Sequence, residues 1–235
     1  MSYPCAVASY DTESVLAAIG WCYEHMEGSD TFTVWTSLKS NLQNCSQLED
    51  LVSGRSEVEH LVGRGGGSTR GHGPVLMAWP DMADIGLLVQ HGGHRIRALG
   101  IIAGDQDEIR PWVTAMSPSV LGDGSAWDEL TPDLDLVVVE ALKSLTQTLN
   151  HNNTISAGYE KDQVVRCLLA LHDAGLPMDG TAMEGWALAH GWSGRNPERL
   201  ARYVEVINAG RRPRHHGSLG PEYIATIRRR AADNT

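Results

Sequence analysis

Two apolar runs, Pro74-Val75-Leu76-Met77-Ala78-Trp79 and Ile96 to Ala103, stand on either side of a stretch whose apolar residues repeat at helical spacing. Asp81 supplies a cap at the start of that stretch. Ile85, Leu88 and Val89 fall on one face, and Gly92-Gly93 ends it. A strand, a helix of about ten residues and a second strand form a crossover unit, which lays the two strands parallel in one sheet. A chain with such a unit belongs to the α/β class.

The segments around this unit can be read the same way. Residues 11 to 27 carry Val15, Leu16, Ile19, Cys22, Tyr23 and Met26 at three- and four-residue steps, which predicts a helix stopped by Gly28. Thr31 to Thr36 is rich in β-branched and aromatic residues and reads as a strand, with a short helix to follow through Leu48 and Val52. Six glycines between Gly63 and Gly73 exclude regular structure there and predict a mobile loop. Residues 107 to 116 read as a helix that Pro111 keeps short.

From about residue 133 the spacing is helical throughout. Leu134, Val137, Val138, Ala141, Leu142, Leu145 and Leu149 form one stripe, broken at His151-Asn152-Asn153. A second helix contains Val164 to Leu171 and closes at Gly175 and Pro177. Asp179 caps a third, which Gly191 ends. Asn196-Pro197-Glu198 has the form of a helix start, with Asn196 as the capping side chain, and Gly210 closes that helix. A last helix begins at Pro221. The predicted fold is therefore α/β, with a small, partly parallel, Rossmann-like sheet in residues 1–130 and an α-helical, arginine-rich region in residues 131–235. The stretch 117 to 133, with two prolines and two glycines, is the link.

Charge divides the chain unevenly. From Arg195 onward nine arginines face four acids, a balance of +5, whereas residues 1 to 194 carry -15 of the whole-chain -10. A tail of that sign attracts phosphate or an acidic surface, and an acidic front repels polyanions. No apolar run approaches the roughly 20 residues of a membrane span. Met1 to Cys5 has no basic region, so no secretory leader is expected and the chain reads as cytoplasmic. The cysteines 5, 22, 45 and 167 form no C-x-x-C pair and are expected to be structural; polar neighbours surround Cys5 and Cys45.

Four features are candidates for chemistry. Backbone amides in the glycine loop, with Arg64 and Arg70, could hold an anion, but the loop precedes a strand instead of joining strand to helix, so a connector is favoured. Asp81, Asp105 and Asp107 follow the two parallel strands, where open α/β sheets place ligands; helix capping is the plainer account of them. His91-x-x-His94 and His215-His216 lack further ligands nearby, so no metal or cofactor is expected. The last candidate is the helical hairpin from 179 to 214, where Arg195, Arg199 and Arg202 stand near the start of the second helix and Arg211, Arg212 and Arg214 just past its end. A helix flanked by arginines suits a nucleic-acid groove, although an ordinary hairpin with a solvated basic side also accounts for it. The favoured expectation is a non-enzymatic binding or regulatory protein whose basic helical region contacts nucleic acid or an acidic protein, in a protein that can also self-associate. The alternative is an enzyme or sensor taking a nucleotide-like ligand at the edge of the sheet.

Overall fold

The structure is a computed structural model that describes residues 3–63, 69–127, 134–150 and 153–233. Two compact units divide the chain, Met1–Leu130 and Thr131–Thr235. Arg64 and three of the six glycines, 65 to 67, lie outside the described residues, as do His151 and Asn152.

The first unit is built on a sheet of six strands: β1 Cys5–Ser9, β2 Phe32–Thr36, β3 Val58–Val62, β4 Gly73–Ala78, β5 Ile96–Ala103 and β6 Ser119–Leu121. They lie in the order β3-β2-β4-β5-β1-β6, and every pairing is parallel. The expected crossover is present, with Pro74 opposite Ala98 and Ala78 opposite Ile102 across α3, Met82–Gly92. The parallel pairing explains the composition. Helices cover the sheet, so β4 is buried at every residue, and Leu76, Leu99, Ile101 and Ile102 have no solvent exposure. α1, Thr12–Glu24, lays Val15, Ala18 and Cys22 against the same core.

Several readings change. α1 ends at Glu24, with His25 at its cap, and Gly28 serves the next turn in a left-handed conformation (φ 54°). β1, β3 and β6, together with a 3₁₀ turn at Lys39–Asn44, are additional to the predicted elements. α2 runs Ser46–Gly54. α4, Gln106–Met116, passes through Pro111. The proline sits one residue beyond the first turn plus one, so it withholds a single N–H, the one due to the Asp107 carbonyl. Burial of Ile109, Trp112 and Val113 on that helix outweighs the loss.

The second unit comprises α5 Leu136–Thr148, α6 Gly158–Asp173, α7 Gly180–Ala189, α8 Asn196–Asn208 and α9 Tyr223–Asp233. No helix among the described residues is long and apolar enough to cross a membrane. α7 and α8 pack as a hairpin around Trp186 and Trp192. The Trp192 indole donates to Thr146 Oγ1 at 2.8 Å, and Trp186 stacks on His190 with centroids 3.8 Å apart. Both rings are buried. Asn196 does not cap α8; it is the first helical residue and is buried. Its Oδ1 accepts from Ile155 N at 3.1 Å and its Nδ2 donates to the Asn153 carbonyl at 2.9 Å, which pins the entry to α6. Two irregular backbone groups are satisfied that way, a use the sequence pattern does not distinguish from capping.

All four cysteines are free and buried, Cys5 and Cys45 included; the polar neighbours of those two are the Tyr3 carbonyl, which accepts from Cys5 Sγ, and Gln47 Oε1, which accepts from Cys45 Sγ. Burial pushes the Cys5 thiol up to about 12 and the Cys167 thiol up to about 11, which leaves them unreactive.

Candidate functional site

α6 buries Val164, Val165, Cys167 and Leu168 on one side. Arg166 and Asp173 stand on the side that remains accessible. Past Gly210, which closes α8 in a left-handed conformation (φ 77°), the chain has no regular structure until α9 begins, and this segment returns across α6. Three contacts define its path. The Arg212 guanidinium clasps Asp173 with two parallel bonds, Nη1 to Oδ1 at 2.8 Å and Nη2 to Oδ2 at 2.7 Å. Arg166 Nη1 donates to the Ser218 carbonyl at 3.5 Å, and Gly217 (φ 73°) turns beside that guanidinium, where a Cβ would stand 2.8 Å from it. Tyr223, at the start of α9, meets Cys167 Sγ at 3.2 Å through its hydroxyl.

Between α6 and this returning segment lies a cleft of 380 Å³, with Arg166, Arg212, His215 and Tyr223 in its walls. The volume falls within the range of small-ligand and peptide-anchor pockets. Asp173 also lines it and is half exposed, as is Arg212. The Arg212 fork holds the Asp173 carboxyl down at about 2, so the acid stays ionised at any physiological pH.

The other predicted arginines take different places. Arg195, Arg199 and Arg202 recur at four- and three-residue steps on the side of α8 opposite its buried residues Leu200, Val204 and Ile207, so they share one outward stripe. Arg195 forks onto Glu198 at 2.8 and 2.9 Å, and Arg199 donates to Asn196 Oδ1 at 3.3 Å. Arg202, Arg211 and Arg214 are exposed. Of the six, Arg212 alone lines the cleft. Arg166, well before the arginine-rich tail begins, joins it there and was not singled out by the sequence pattern. Taken as a whole, residues 131 to 235 hold twelve acids and twelve lysines and arginines, so the +5 of the tail is balanced within its own unit.

In the sheet unit two of the three predicted acids cap helices. Asp81 accepts from Asp84 N at 2.7 Å and Asp105 accepts from Asp107 N at 3.0 Å, each capping the helix after its strand. Asp11 and Asp123 do the same after β1 and β6, accepting from Ser14 N and Ser125 N at 2.9 Å. Asp107 itself pairs with Arg110. Their cap bonds, to Ser14 and Ser125, hold the Asp11 and Asp123 carboxyls below the ordinary value, whereas burial, then the Asp81 carboxylate, raises Asp84 to about 6. Arg70 precedes β4 while Asp81, Asp105 and Asp107 follow β4 and β5, so this alternative set is split between opposite ends of parallel strands. Arg64 lies outside the described residues. His94 borders a 540 Å³ cleft at the amino ends of the strands, together with His25 and His72, whereas His91 is on α3. Among the described residues no group of histidines, cysteines and acids could hold a metal ion.

No curated protein matches the chain. Residues 134–228, a stretch that holds the cleft and all six candidate arginines of the tail, are similar to a family described as a domain of unknown function (DUF1889).

Proposed function

We propose that the chain is a non-enzymatic binding protein of the cytoplasm whose helical region takes up an acidic protein segment. The observation that carries this reading is the placement of the tail arginines. Arg195, Arg199 and Arg202 form a stripe on the solvent side of α8, and Arg211 and Arg214 stand exposed just beyond its end. Two guanidiniums in this region, Arg195 and Arg212, already hold carboxylates by two-point forks, the geometry that makes arginine the preferred partner of an acid.

Charge selects among anionic partners. Binding to nucleic acid draws on many phosphate contacts at once and requires a surplus of positive charge over the docking unit. The helical region is formally neutral and the whole chain carries -10. A short acidic segment asks only for a few well-placed forks, which the stripe offers. At the sheet edge a nucleotide-like ligand would bring phosphate toward Asp11, Asp81, Asp105 and Asp123, which repel it.

The test is fluorescence anisotropy of a labelled octaglutamate peptide on the full chain at low salt, beside a single-stranded oligothymidine of equal length. Expected are saturable binding of the peptide that weakens with salt, a several-fold loss in the Arg211→Ala/Arg214→Ala double variant, and weaker retention of the oligonucleotide. Tighter binding of the oligonucleotide, or no peptide binding at low salt, would overturn the proposal.

A further inference from the structure

We infer that the cleft between α6 and the segment returning from Gly210 is the seat of that acidic ligand, with Arg212 the residue that grips its carboxylate and Asp173 an internal stand-in holding the place until the ligand arrives. The inference rests on the binding function proposed above and assigns it a position.

The contacts support this division of labour. Arg212 and Asp173 meet in the fork that an incoming glutamate or aspartate would form, so the guanidinium is already oriented for a carboxylate. The pair is open to solvent, with the side chains 59% and 51% exposed. Exposed pairs are weak and salt-screened, so a competing carboxylate has little to overcome. The far end of the returning segment is fixed differently. Tyr223 is packed onto the buried Cys167, so release of Arg212 would leave the segment hinged at α9. Arg166 then offers a second guanidinium in the same wall, its Nε donating to the Asp162 carbonyl at 3.1 Å and its Nη1 to the Ser218 carbonyl by a long bond of 3.5 Å. The cleft thus presents two cations to a ligand bearing more than one acid. Because Asp173 is ionised throughout the physiological range, exchange follows ligand concentration, with no part played by protonation of the stand-in.

The experiment compares octaglutamate affinity in the full chain, in Asp173→Asn, in Arg212→Ala and in the double variant. Asp179→Asn is the control for a change of one charge, since asparagine keeps the cap that Asp179 gives α7. Asp173→Asn is expected to bind about two- to five-fold tighter than the parent, the span set by a weak exposed pair. Arg212→Ala is expected to bind several-fold weaker, and the double variant to match Arg212→Ala. Asp179→Asn should change little. Equal affinity of parent and Asp173→Asn, a gain that survives loss of Arg212, or the same gain in Asp179→Asn would overturn the inference while leaving the proposed function standing. Failure of every variant to bind would remove the proposed function as well.

Discussion

The two units spend charge differently. In the sheet unit, Asp11, Asp81, Asp105 and Asp123 follow four parallel strands, and each accepts from a backbone N–H at the start of the next turn of helix. Their charge lies against the positive end of a helix and is consumed by the fold. In the helical unit, opposite charges balance in number but are segregated along the sequence, and they meet at the surface in forks such as Arg212 with Asp173. Acids that cap are poor partners for an anionic ligand, because their charge repels it. Arginines held only by exposed pairs remain exchangeable. That contrast, more than the overall acidity, is why the binding surface proposed above lies in the second half of the chain.

Three substitutions break or sharpen the contrast. If packing and not charge holds the helical unit together, Trp192→Ala is the most damaging: it empties a fully buried site and removes the indole bond to Thr146 Oγ1, and should cost about 3–5 kcal/mol in denaturant unfolding. A loss below about 1 kcal/mol would mean that surface pairs carry more of the stability than argued. Asn196→Ala comes next. It strips the partner from Ile155 N and the Asn153 carbonyl, and a loss of about 2 kcal/mol is expected by the same measurement. An unchanged midpoint would show that those groups find other partners.

The smallest effect belongs to the sheet unit and depends on pH. Asp84 titrates at about 6 in the folded chain against an ordinary value of 3.8. Between those values the folded state keeps a proton that the unfolded state releases. The stabilisation is full below the ordinary value and is lost as pH rises through the folded one. Asp84→Asn removes that dependence and should raise stability by less than about 1 kcal/mol near neutral pH, with no gain in acid, since the group is half exposed. Thermal melts across the acid range check the sign, and an equal change at both ends would show that the cap alone is affected.

What the sequence discloses follows from how local its causes are. The β4-α3-β5 unit is legible because Asp81, the apolar runs and Gly92-Gly93 all act within a few residues. β3 reads poorly because Val58-Glu59-His60-Leu61-Val62 is half-buried at an edge and lacks an apolar run. β6 is three residues long inside what reads as a linker. Pro111 argues locally against a helix that tertiary burial secures. For the site, the arginines of the tail are visible as a cluster. The pairing of Arg212 with Asp173, 39 residues apart, and the meeting with Arg166 depend on how the segment after Gly210 folds back, which no spacing encodes.

The strand order carries a consequence for biosynthesis. β1 is made before the other five strands, yet its neighbours are β5 and β6, the last two of the sheet. As the chain leaves the ribosome, Cys5-Ala6-Val7-Ala8 has no strand partner until residues 96 to 103 have emerged, although the β2–β3 and β2–β4 ladders can already close. An apolar strand held waiting that long is an exposed edge, so the nascent chain is most prone to aggregate, and most in need of a chaperone, before β5 appears.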